Sequence, residues 1–219
     1  MEIDRAAYYS HIRELALIKR AEYSVATGAF GLKEVRAIYR REGIAIDTLS
    51  LTPRLKAIYM CSDGECSVAI RKDLPKEPKL FALVHELKHH WADRHLTEAD
   101  RLSCGLFNES ELHEKAAEVF AAEFIYPESE FKSDIFAFEE LYKIRNWTVD
   151  DVVHFKRNHC KANVSYTYIR KRLEWFGKIT PDQFRGTQFQ KREDQLYGAP
   201  IYRQPWFIAR RKAKSSVRT

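Results

Sequence analysis

The sequence is short of several things, and each shortage removes a class of answer. No run of 18 apolar residues occurs among its 219, so no segment has the length and apolarity of a membrane-spanning helix. The first residues, Met1-Glu-Ile-Asp4, are acidic, which does not fit a secretory signal. The expectation is a cytoplasmic location with no membrane partner. There are only 4 cysteines. Cys61, Cys66, Cys104 and Cys160 are too sparse and irregular for a disulfide framework, and Cys61 and Cys66 are expected as reduced thiols on two strands. Methionine stands only at positions 1 and 60, which matters below. Gly28-x-x-Gly31 lacks the Lys-Ser/Thr continuation of a phosphate loop. No internal repeat or low-complexity tract is present.

What remains is an ordinary globular composition, 45% hydrophobic and 31% charged, on a chain long enough for one sizeable domain or a core with an appendage. The net charge of +6 is concentrated: residues 181–219 hold nine Lys/Arg against three Asp/Glu, which accounts for the whole excess. A run such as Arg210-Arg211-Lys212-Ala-Lys214 can touch nucleic acid through its phosphates without reading sequence, although a solvated terminus is the favoured reading.

The most informative stretch is Phe81-Ala82-Leu83-Val84-His85-Glu86-Leu87-Lys88-His89. It contains His85-Glu86-x-x-His89. On a helix, positions i and i+4 lie about 40° apart around the axis, so both imidazoles can reach one metal ion. Glu86 is then placed to hold the water that the metal activates. Leu83, Val84, Leu87 and Trp91 recur at helical spacing and supply an apolar stripe. Pro78 suits the first turn.

A catalytic zinc uses three protein ligands and keeps one position open, so a third is needed. His95 would complete the HExxHxxxxxH spacing of the metzincins. That pattern has Gly where this chain has Ala92, and a Met-containing turn beneath the site; both methionines here precede the helix. Glu114 is the other candidate. Ala117, Phe120, Ala121 and Phe124 fall on one helical face, with Glu114 and Glu118 on an adjacent edge. A Glu ligand with an acidic residue four later is the gluzincin arrangement, in which the later residue, here Glu118, can bind the far nitrogen of a ligating His. Glu114 is preferred from this spacing and the missing Met-turn. Glu111 and His113 are weaker alternates.

FALVHELKHHW followed by ELHEKAAEVFAAEFIYP resembles the ImmA/IrrE family of metallopeptidases. Glu114, Ala117, Phe120, Ala121 and Pro127 occupy matching positions. Val164-Ser165 and Arg172-Leu173 to Ile179 resemble a downstream segment, so the likeness covers roughly residues 30–180. Lys88 stands where the family usually has Gly, and Glu118 where it has Asn or Asp. No fused N-terminal helix-turn-helix repressor domain is expected. The resemblance implies a Zn²⁺ peptidase whose partner is a helix-turn-helix transcriptional repressor, often of a phage or mobile element. Rival readings are a toxin–antitoxin component and a non-catalytic regulatory protein that binds a repressor or DNA. For the oxyanion, Tyr126, His113, His154, Tyr166 and Tyr168 are candidate donors.

Along the chain, helices are expected at 4–26, broken by Gly28 and Gly31, and at 32–42, closed by Gly43. Strands are expected at 44–51, 55–61 and 66–71, the last two joined through Asp63-Gly64, a strong hairpin signal. The His85 helix, a polar loop at 96–109 and the Glu114 helix follow. Residues 129–180 read as helical, including 148–157 and 163–176. The fold class is thus α+β. A compact zincin-like core with a small antiparallel sheet occupies 1–128. A helix-turn-helix-like appendage follows at 129–180, then a basic extension at 181–219.

Overall fold

Asp4 starts the first helix by accepting the backbone N–H groups of Ala6 (2.9 Å) and Ala7 (3.2 Å) on its carboxylate, which satisfies donors that a helix start leaves open. The computed structural model describes residues 4–94 and 109–205, with backbone alone at 109 and 110. These residues form two compact units, one of 4–94, 109–137 and 160–165, the other of 138–159 and 166–205. The chain is α+β, and among the described residues its one small sheet lies in the first unit. Among the described residues, no helix is long and apolar enough to cross a membrane.

In the first unit, helix α1 (Arg5–Glu22) buries Ile12, Ala16 and Arg20, spaced by four residues on one face. Arg20 is an unusual core residue. Its guanidinium donates to the carbonyls of Phe124 and Val25 and to Thr27 Oγ1, so its burial is offset by charge-assisted bonds. Helix α2 (Leu32–Arg41) buries Val35, Ile38 and Tyr39. It ends at Gly43, whose φ of +69° suits a residue without a side chain.

Strands β1 (Ala45–Leu49), β2 (Ala57–Ser62) and β3 (Glu65–Arg71) form one sheet in the order β1-β3-β2. The β2–β3 hairpin turns at Asp63 and Gly64 with φ of +52° and +82°, the paired positive values that a two-residue turn needs to match strand twist. The sheet is mixed rather than antiparallel: β1 runs parallel to β3 in the register Ala45↔Ser67 to Leu49↔Arg71. The segment between β1 and β2 carries the chain past β3, so β3 receives a partner on each side. The register also sets Cys61 opposite Cys66. With their Cα atoms 4.1 Å apart they are joined as a disulfide, not held as the expected reduced thiols. Cys104 lies outside the described residues.

Helix α3 (Lys76–Ala92) follows Pro75. It packs against β2, β3, α2 and helix α4 (Glu109–Ile125). Leu80, Leu83, Val84 and Leu87 are almost fully buried, and Tyr39 Oη donates to the Leu83 carbonyl at 2.7 Å. Ala116, Ala117, Phe120, Ala121 and Phe124 bury the facing side of α4. The alanines let it come close to its neighbours. Helix α5 (Glu128–Tyr142) keeps its first part in this unit, past the boundary expected at 128. Asp134 anchors it there: it accepts from Tyr126 Oη and from Lys161 Nζ, drawing 160–165 back as well.

The second unit holds helices α6 (Val149–Asn158), α7 (Tyr166–Trp175) and α8 (Phe189–Tyr197), with a 3₁₀ turn at Ile201–Arg203. Thr148 caps α6 in a reciprocal box: its Oγ1 accepts from Asp151 N at 3.2 Å and Asp151 Oδ2 accepts from Thr148 N at 2.8 Å. Phe138, Trp147, Val152, Phe155, Ile169 and Leu173 form its core. Part of the region read as a basic extension is therefore helical. Arg192 makes a two-pronged bond to Asp150, 2.6 Å on each arm. The basic run at 210–214 lies outside the described residues.

Candidate metal centre

Helix α3 places His85 and His89 one turn apart with ring centroids 5.2 Å from each other. Helix α4 brings Glu114 against both. His85 Nε2 lies 3.2 Å from Glu114 Oε2, and His89 Nε2 lies 3.5 Å from Glu114 Oε1. One ligand atom from each of these three residues falls within 4.8 Å of the others, a grouping able to hold a metal ion. Helices α3 and α4 pack on one another, and Leu83 and Leu87 of the first and Ala117 and Ala121 of the second are buried.

A cation fits the donors as they stand. His89 Nε2 is buried without a hydrogen-bond partner, while its Nδ1 is 2.7 Å from Asp93 Oδ2. A carboxylate on one ring nitrogen and an open lone pair on the other is the arrangement of a metal-ligating imidazole. Glu86 is 4% exposed, and its Oε2 is likewise buried and without a partner. Burial pushes the Glu86 carboxyl above its ordinary range. The nearby His85 and His89 pull it down, Glu114 pushes it up, and a backbone N–H bond from Tyr59 pulls it down. Burial opposes charge on His85, but its bond to Glu114 and the carboxylates of Glu86, Glu114 and Glu118 outweigh burial and raise it.

The residues picked from sequence are thus partly assembled. His85, His89 and Glu114 come together, with Glu86 beside them. Glu118 has a 46% exposed side chain, lies 4.0 Å from Lys115, and reaches His85 through charge. His95 lies outside the described residues. Ala92 continues the helix and makes no left-handed turn. Of the oxyanion candidates, Tyr126 is buried with its hydroxyl on Asp134. His113 sits near the site, 3.4 Å from Asp93 Oδ1 and 3.2 Å from Tyr8 Oη. His154, Tyr166 and Tyr168 belong to the second unit.

Residues 40–173 match the model of the peptidase M78 family, described as the IrrE N-terminal-like domain. The chain belongs to that family. The match spans more than half of this peptidase M78 chain, and it contains α3 and α4 with every residue of the grouping. A search of curated proteins found no match. Family membership makes the protein peptidase-type, and the His85–His89–Glu114 grouping is a candidate metal site inside the matched region.

Sequence reasoning missed Asp93 and its partner. Lys88 is 0% and Asp93 2% exposed, with Nζ to Oδ2 at 2.5 Å. Burial pushes the Lys88 ammonium down, against the pull of Asp93. Burial pushes the Asp93 carboxyl up, but the bond from His89 and the charge and bond of Lys88 bring it below its usual range. The missed signal was Lys88 itself, a charged residue on the apolar side of a helix that had to find an anion.

Proposed function

We propose that the protein is a Zn²⁺-dependent endopeptidase in which His85, His89 and Glu114 hold the metal and Glu86 is the general base. The observation that carries this reading is the pair of buried atoms without hydrogen-bond partners, His89 Nε2 and Glu86 Oε2, next to Glu114. Burying such groups unsatisfied costs about 1–3 kcal/mol each, and a cation with its water would satisfy both. Zinc, when bound, brings a coordinated water to a pKa of about 7 and polarises a carbonyl. The chain's own residues supply the rest. Glu86 takes the proton of the attacking water and passes it to the leaving amine. Glu86 is held for this by the Tyr59 backbone N–H.

Tyr59 lies on β2, one of the two edge strands of the sheet. An extended peptide added to that edge would run past Glu86. Only a flexible segment can adopt that form, which confines cleavage to linkers. The substrate we infer, from the family resemblance, is a helix-turn-helix repressor in the cytoplasm. The basic run at 210–214 would add weak contact with nucleic acid near it.

Glu86→Gln tests the reading. The amide is nearly isosteric but cannot take the proton, so cleavage should fall by roughly 10²–10⁴ while zinc and substrate are still bound. Proteins captured on the Gln variant are incubated with wild type and Zn²⁺. A captured repressor cut by wild type and left whole by the variant supports the proposal. Equal derepression by both forms would instead favour a binding protein on a peptidase scaffold.

A further inference from the structure

The Lys88–Asp93 pair has no part in the chemistry above, yet it touches both helices that supply the ligands. Asp93 Oδ2 lies 2.5 Å from Lys88 Nζ and 2.7 Å from His89 Nδ1. Asp93 Oδ1 faces His113 Nδ1 at 3.4 Å. Lys88 Nζ also donates to the backbone carbonyl of His113 at 3.3 Å, one residue before Glu114. A continuous polar path thus runs from His89 through Asp93 and Lys88 to the backbone beside Glu114.

Resting on the metal-site reading above, we propose that Asp93, clamped by Lys88, is a positioning residue that fixes the His89 ring and sets α3 and α4 in the spacing the metal requires. Asp93 accepts the proton of His89 Nδ1, so Nε2 is left as the nitrogen whose lone pair is open to a metal. Lys88 neutralises the buried carboxylate and ties it to α4. A buried ion pair is a poor device for stability, since apolar residues of similar volume serve as well or better. Its position between two ligands gives it a different use.

The experiment uses the full chain and four variants: Asp93→Asn, Lys88→Met, the double variant, and His89→Ala. Zinc affinity is read by competition with a chromogenic chelator, and folding by the unfolding midpoint of the metal-free protein. Asp93→Asn should bind zinc roughly 10–100-fold more weakly and unfold earlier, because a neutral amide leaves the ammonium unpaired. Lys88→Met should weaken zinc less, since the His89–Asp93 bond survives. The double variant should regain the unfolding midpoint and keep the weak affinity of Asp93→Asn. Affinity that recovers together with the midpoint would overturn the proposal, because Asp93 would then serve only to neutralise Lys88. Wild-type affinity in Asp93→Asn would overturn it too. Should Asp93→Asn not fold, the double variant decides alone, and wild-type affinity there sinks the idea. His89→Ala separates the two levels: full zinc binding in that variant refutes the metal site itself, whereas loss there with an unchanged Asp93→Asn refutes only the positioning role.

Discussion

At the scale of single residues, the site is asymmetric. His89 is 9% exposed on its side chain and Glu114 is 40% exposed. The three candidate ligands should therefore contribute unequally. His85→Ala and His89→Ala should each abolish binding of about one zinc per chain, measured by elemental analysis after dialysis, because two remaining ligands cannot hold a catalytic zinc. Glu114→Ala should lose affinity strongly while His95→Ala should not. The reverse pattern would return the third ligand to His95. The grouping of His85, His89 and Glu114 was legible because its signal is local: two His at helical spacing, and a Glu beside an Ala-rich apolar face. Asp93 was not, because a carboxylate at the end of a helix has many ordinary uses. Only the burial of Lys88 gives it meaning, and burial is a tertiary fact.

At the scale of elements, local chemistry was a good guide where it had no competitor. Asp63-Gly64 specified its turn through two positive φ values, and Gly43 ended its helix. Thr148 is a similar case. Thr148→Ala removes the side-chain acceptor at the α6 start and should cost about 1 kcal/mol; a denaturation midpoint unchanged by this substitution would show that the cap carries no weight. The parallel pairing of β1 with β3 was not legible. Alternation along a strand says which face is apolar, but both neighbours of a strand satisfy its hydrogen bonds equally well, so order and direction are decided by the connections. The disulfide was hidden in the same way, since a four-residue gap between cysteines does not reveal a register that sets them opposite each other.

At the scale of the whole molecule, the division of the chain follows contacts that no composition shift announces. Residues 160–165 return to the first unit through Lys161 on Asp134 and through Asn163, whose amide donates to the Phe30 carbonyl at 2.8 Å. These bonds join positions far apart in sequence. The metal should be felt at this scale as well. A ligand that binds only the folded state stabilises it by about 2.7 kcal/mol at a hundred times its dissociation constant. Stripping zinc with a chelator should lower the melting temperature, and added Zn²⁺ should restore it in a concentration-dependent way. A melting temperature indifferent to both would exclude a folded-state metal site.

The Lys88–Asp93 clamp is also lopsided in what it tolerates. Asp93 without Lys88 still has His89 as a donor and remains tolerable in the interior. Lys88 without Asp93 would be an unpaired ammonium in a position fully closed to water, which no small domain readily survives. The two residues are thus not interchangeable as targets. Lys88 can be replaced with Asp93 left in place, because His89 still donates to the carboxylate, whereas Asp93 can be replaced safely only together with Lys88.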